Sequence, residues 1–184
     1  MKRRLLLVLL LPLALAAYQY EPVLLETQAK LAPRLLMMSE GVEARSADLL
    51  SICVIYEAGE GEVADAFAGM VRSAYPDGWK SMRIRIVKSR YEALETRCDR
   101  CELLYLLNAD EEKVRRAVSY ATAHRKLTMA YENRFLEYGV LMSLHVGRSV
   151  RPYLNLQQAK EAGIHFSSGL KRISKFLELP KETP

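Results

Sequence analysis

The sequence predicts an α/β fold: a mostly parallel sheet with helices on both faces and a C-terminal antiparallel hairpin. Three observations predict it. Leu49-Leu50-Ser51-Ile52-Cys53-Val54-Ile55-Tyr56 is apolar on both sides of the strand period, as a strand buried between two helical layers must be. Stretches with helical spacing then alternate with further short apolar runs, the pattern that a parallel sheet requires of its crossovers. Finally, Val140 to Val146 and Val150 to Leu156 flank Gly147-Arg148-Ser149, which reads as a hairpin.

The N-terminus has a different character. Lys2, Arg3 and Arg4 precede an apolar run from Leu5 to Leu15, interrupted by Pro12 and followed by Ala14-Leu15-Ala16. This order of charge, apolar core and small residues predicts a secretory signal over residues 1–16, cleaved before Ala17. The run is shorter than the roughly 20 residues that span a bilayer. A signal implies export from the cytoplasm, to a compartment where a disulfide is favoured.

Removal of the three signal cations leaves +2 of the +5 formal charge. A surplus that small, spread without runs, does not supply the basic face that nucleic-acid binding needs. We therefore expect no nucleic-acid partner. The remaining chain is half hydrophobic, without low-complexity tracts or repeats, and fits one core.

The elements follow in order. Residues 17–48 are expected to hold an N-terminal helix and a loop. Leu24, Leu31, Leu35 and Met38 lie at helical spacing within residues 22–38, with Pro33 predicting a kink or two short helices. The α/β domain is expected over residues 49–178. After the first strand, Val63, Phe67, Met70 and Val71 mark one face of a helix, which Pro76-Asp77-Gly78 ends as a turn. Met82 to Val87 alternates apolar and basic residues, as a half-exposed edge strand does. Leu103 to Leu107 reads as a buried strand, and Asp110 as the cap of a helix carrying Val114, Ala117, Val118 and Ala121. Leu127 to Tyr131 is a short strand, with a helical turn near Phe135. Two helical segments after the hairpin, Gln157 to Ala162 and Ser168 to Leu177, complete the chain.

Gly59-Glu60-Gly61-Glu62-Val63-Ala64 matches G-x-G-x-x-A between a strand and a helix. Glu57, Glu60 and Glu62 oppose the charge of a pyrophosphate there, so the segment reads as an acidic turn and no cofactor is expected. Cys98-Asp99-Arg100-Cys101 matches C-x-x-C, but it precedes a strand and lacks the helix N-terminus that activates a redox thiol. Structural zinc requires four ligands, and Cys53, Cys98 and Cys101 have no His clustered beside them. In a doubly wound sheet of order 2-1-3-4, the strand of Cys53 neighbours the strand begun by Cys101. A Cys53–Cys101 bridge with Cys98 free is thus expected ahead of a Cys98–Cys101 pair. No nucleophile-and-base constellation or paired-carboxylate motif is present, so no enzyme is expected and no catalytic or metal residue is assigned. Met37 and Met38 end an apolar run, Leu35-Leu36-Met37-Met38, and are the candidate contact for a partner protein, because Met side chains adapt to varied surfaces.

The C-terminal half resembles the YfiR family of bacterial periplasmic proteins. The resemblance is carried by Tyr153-Leu154-Asn155-Leu156, Ala159, Ala162-Gly163-Ile164 and Ser167-Ser168-Gly169-Leu170. Upstream, Cys53-Val54-Ile55, Cys101-Glu102-Leu103-Leu104-Tyr105-Leu106 and Lys126-Leu127-Thr128-Met129 are similar to the family's core strands. The chain departs from the family at Leu36-Met37-Met38-Ser39, where a Trp-Pro pair is usual, and at Cys98, which is an addition. Asn155, Ser167 and Ser168 are the family-signature positions.

The resemblance implies a periplasmic regulator that binds the sensor domain of a membrane-anchored diguanylate cyclase. It would restrain cyclic-di-GMP synthesis and biofilm formation. A homodimer is also compatible with the sequence. Two other classes stay open. One is a small ligand-binding module using the loops Glu57 to Gly61 and Asn108 to Asp110. The other is a thiol-redox protein using Cys98 and Cys101.

Overall fold

The computed structural model describes residues 19–42, 48–80 and 82–177. The expected signal over residues 1–16 lies outside them. Helix α1 (Pro22–Met37) precedes strand β1 (Leu49–Tyr56), helix α2 (Gly61–Ala74) and strand β2 (Arg83–Arg90). A 3₁₀ turn (Tyr91–Ala93) and the short α3 (Leu94–Arg97) lead to β3 (Leu103–Leu106), α4 (Glu111–Ala123) and β4 (Leu127–Ala130). Then come a 3₁₀ turn (Asn133–Leu136), β5 (Met142–Val146), β6 (Val150–Leu154), α5 (Leu156–Glu161), α6 (Ser168–Ile173) and β7 (Lys175–Phe176).

The seven described strands form one sheet in the order β2-β1-β3-β4-β5-β6-β7. The first five run parallel; β6 turns back antiparallel to β5, and β7 pairs parallel with β6. The α/β class with a C-terminal hairpin is the architecture expected.

Period-two alternation along β1 builds two cores. Leu50, Ile52 and Val54 join α1 and α2 through Leu25, Leu36, Phe67 and Val71. Cys53 and Ile55 face the other way, onto Leu94, Val114 and Ala117 of α3 and α4. Six central residues of β1 are buried, which explains why its sequence lacks polar alternation. β2 alternates because it is an edge strand and half of it meets water.

Asp110 caps α4, its carboxylate accepting the Lys113 N–H at 2.9 Å. Gly78 has φ +86°, and a Cβ there would stand 2.2 Å from the Met82 carbonyl oxygen, so the turn demands glycine. Pro33 lies buried inside α1, a single helix from Pro22 to Met37 rather than two. β4 and β5 share one register pair, Met129↔Met142. Side chains supplement it: Thr128 Oγ1 accepts the Leu141 N–H, and Ser143 donates to the Ala130 carbonyl, both at 2.9 Å.

Three expectations are corrected. The segment from Tyr91 to Arg97 is helical, where no element was expected. The final helix stops at Ile173, and Lys175–Phe176 adds a strand in place of a helix continuing to Leu177. The disulfide joins Cys53 to Cys98, with Cα atoms 5.7 Å apart, and Cys101 is the free, buried thiol.

The register explains the change of partner. β1 and β3 are neighbours as expected, but Leu104, not Cys101, lies beside Cys53. Cys101 is three residues short of that level, about 10 Å along a strand, beyond the reach of a disulfide. Cys98 is the C-cap of α3 and packs over β1, which places its side chain against Cys53.

Candidate functional site

In a doubly wound sheet the natural ligand crevice lies at the carboxyl ends of the strands, where the strand order reverses. Here the order reverses at β1, flanked by β2 and β3. The crevice is bounded by the loops after β1, β3 and β4, and the segment leading into α1 fills it.

Tyr20 is the centre of the arrangement. Its hydroxyl donates to Glu60 Oε1 at 2.7 Å and accepts the Asn108 N–H at 2.8 Å. It thus joins the loop after β1 to the loop after β3. Its ring meets Tyr131 edge-on, centroids 4.8 Å apart. The Tyr131 hydroxyl accepts the Glu21 N–H at 2.7 Å.

Deeper in, the fully buried Gln28 donates from Nε2 to the Tyr131 carbonyl at 2.9 Å and accepts the Tyr105 hydroxyl proton on Oε1. Tyr105 in turn stacks on Phe67, centroids 4.0 Å apart. A polar thread therefore runs from the N-terminal segment through α1 into β3.

The electrostatics suit closure. Burial, with the Glu60 hydrogen bond second, pushes the Tyr20 hydroxyl well above the ordinary tyrosine range. Burial likewise raises Glu60 above the ordinary carboxyl value, against the lowering effect of its bond from Tyr20. Tyr91, whose hydroxyl donates to the Leu107 carbonyl at 2.8 Å, is raised by burial and then by the charges of Glu57 and Glu60. Glu57 pairs with Lys113 at 2.7 Å, and this contact holds the Lys113 ammonium above its usual value. The loop is acidic, and Glu57 and Glu60 are engaged by Lys113 and Tyr20.

The two loops of the open ligand-binding reading, Glu57 to Gly61 and Asn108 to Asp110, do meet here. What brings them together is Tyr20, a residue the sequence reading passed over. The signal for it was weak: a tyrosine just ahead of a Pro-started helix. Gln28 had a clearer one, since Leu24, Gln28, Leu31 and Leu35 share a helix face and a polar residue there needs a buried partner.

The other named residues are dispersed. Met37 and Met38 are half-buried and pack against the core under α1, Met38 near Gly169 of α6. Asn155 caps α5: its Oδ1 accepts the Gln158 N–H and its Nδ2 donates to the Leu136 carbonyl, both at 2.9 Å. Ser167 caps α6, its Oγ accepting the Leu170 N–H at 3.2 Å, while Ser168 is the exposed first residue of that helix. Cys98 and Cys101 do not form a dithiol pair, because Cys98 is bonded to Cys53. Burial pushes the Cys101 thiol up to about 11, away from thiolate chemistry. Among the described residues no group of three or more His, Cys, Asp or Glu could hold a metal ion, and no helix is long and apolar enough to cross a membrane.

Comparison with solved structures shows the same fold in longer chains. A conserved domain protein from Vibrio cholerae O1 biovar eltor superposes with a TM-score of 0.57 at 12% identity, over 84% of this chain and 60% of that one. The ABC domain from Streptococcus pneumoniae in complex with L-Trp gives 0.55 at 10% identity, over 83% and 60%. A ligand-free, open substrate-binding protein with adhesive properties from Clostridium difficile gives 0.58 at 10%, over 83% and 59%. This chain thus spans about three-fifths of the length of each, and the likeness extends to the fold alone. No curated protein matches the chain. The YfiR/HmsC-like family model matches residues 30–175, from α1 through the first residue of β7, with the buried thread from Gln28 to Tyr105 entering at its edge. The chain belongs to the YfiR/HmsC-like family.

Proposed function

We propose that this protein is a periplasmic regulator that acts by binding the sensor domain of an inner-membrane diguanylate cyclase, restraining cyclic-di-GMP synthesis without turnover of its own. The observation that carries this reading is the family match over residues 30–175. The closed crevice supports it: Tyr20 takes up the Glu60 carboxylate and the Asn108 N–H that a small ligand at the strand ends would otherwise engage. Recognition then falls to the outer surface. The Cys53–Cys98 bridge suits an oxidising compartment.

Met37 and Met38 remain the proposed contact. Their half-buried position at the end of α1 leaves part of each side chain to a partner. The test is capture of the purified periplasmic domain of a cyclase encoded beside this protein, with cyclic-di-GMP measured in cells lacking and overproducing it. Deletion should raise the dinucleotide and overproduction lower it. Met37→Ser with Met38→Ser should weaken capture at least tenfold with an unchanged circular dichroism spectrum. Unchanged cyclic-di-GMP in both strains would refute the regulator. Intact capture by the double variant would refute the methionine contact alone.

A further inference from the structure

The hairpin of β5 and β6 joins apolar and basic groups at the far end of the sheet from the crevice's edge strand. Six large apolar side chains are exposed among the described residues, and four of them, Val146, Val150, Ile173 and Phe176, lie on this hairpin and on the α6–β7 segment beside it. Isolated exposed apolar residues are ordinary, but this concentration is not. Val146 and Val150 face each other across the last register pair before the turn, 53% and 43% exposed. Phe176 lies beside Leu154 on the same face of β6.

The cations are on the other face and at the apex. His145, Arg148, Arg151 and Lys175 line one open depression with Gly147 and Ser149. Lys175 Nζ stands 2.9 Å from His145 Nε2. No carboxylate among the described residues pairs with Arg148, Arg151 or Lys175. Between Met142 and Leu177 the chain carries six Lys and Arg residues against one carboxylate, Glu161. Elsewhere several surface cations are paired, as Lys88 with Asp65 or Arg116 with Glu95.

We propose that this hairpin is a membrane-docking tip, entering the interface of an anionic bilayer with Val146 and Val150 immersed and Arg148, Arg151 and Lys175 at the level of the lipid phosphates. Val146 and Val150 flank a turn that carries Arg148 at its apex, with Arg151 one residue behind; the long Arg148 side chain can reach back to the phosphates while the two valines enter the interface. An extended acidic strand added along the stretch of β6 that β7 leaves uncovered fits less well, because Pro152 there has no N–H to donate.

Residues 5–15 are apolar in their own right, so the test reads the tip locally in the full chain. An environment-sensitive fluorophore is placed at Ser149→Cys, with Asp77→Cys in the exposed turn before β2 as control; the native free thiol, Cys101, is buried. Vesicles of phosphatidylglycerol and phosphatidylethanolamine should shift the Ser149 label to the blue. Phosphatidylcholine vesicles should not, and the Asp77 label should stay silent. Arg148→Ser with Arg151→Ser should weaken the partition about thirtyfold, at about fivefold per cation near an anionic surface. The absence of a shift at the tip, or an equal shift on phosphatidylcholine, overturns the proposal. So does a shift reproduced by polyglutamate without lipid, which would assign the surface to an acidic protein instead.

Discussion

Tyr20 and Glu60 are joined by a 2.7 Å hydrogen bond across forty residues, and the same tyrosine oxygen accepts the Asn108 N–H. One hydroxyl thereby ties the N-terminal segment to two loops at the carboxyl ends of the sheet. Tyr20→Phe removes both bonds and leaves a half-buried donor and acceptor without their partner. The expected loss is about 1–3 kcal/mol, checked by urea unfolding. Amide exchange should rise at Asn108 before it rises in β1.

The carboxyl of Glu60 adds a pH dependence. Its folded-state value is raised, chiefly by burial, so the folded protein holds that proton more tightly than the unfolded chain. The contribution is fully present below the ordinary carboxyl range and is lost as pH rises through the raised value. Relative to wild type, Glu60→Gln should therefore gain stability as pH climbs from the ordinary carboxyl value of 4.5 toward neutrality. Denaturant midpoints of the two proteins over that range measure it; parallel curves would show that Glu60 does not titrate in this way.

The Cys53–Cys98 bridge closes a loop with a sequence separation of 45 residues. Loop-closure entropy assigns such a cross-link about 4 kcal/mol as an upper figure. Cys98→Ser with Cys53→Ser should lose a large part of that in guanidinium unfolding, and a reductant should lower the wild-type midpoint without affecting the variant. Non-reducing peptide mapping should recover the Cys53 and Cys98 peptides joined.

Cys101 should resist alkylation. It is 3% exposed with its thiol held near 11, so roughly one molecule in a thousand carries the thiolate at pH 8. Iodoacetamide should label it at the rate of global unfolding rather than at the rate of a surface thiol. Rapid labelling of the native protein would contradict the buried position.

Asn155 satisfies two backbone groups at once, the Gln158 N–H and the Leu136 carbonyl. Asn155→Ala should cost about 2 kcal/mol, the sum of a lost cap and an unpaired buried acceptor. Asn155→Asp retains the cap but offers no donor to Leu136. It should fall between the two in thermal unfolding.

Much of this architecture can be read along single elements. The two-faced apolar run of β1, the alternation of β2, the Asp110 cap and the turn at Gly147-Arg148-Ser149 are local patterns, and local patterns report burial and backbone geometry directly. The parallel order of β1 and β3 followed from connection rules. Three features depended on where distant segments meet. The partner of Cys53 depended on a three-residue register difference and on the path of α3 over β1, neither of which leaves a periodic trace. β7 exists because Lys175 and Phe176 reach the open edge of β6, and two residues are too few to declare a strand. Tyr20 closes the crevice because α1 crosses one face of the sheet and delivers its first turn to the strand ends. The class of fold is legible in the chain alone, because hydrophobic periodicity encodes which faces are buried. The tertiary structure alone decided which side chains meet, because contact is set by register and crossing geometry that no single segment contains.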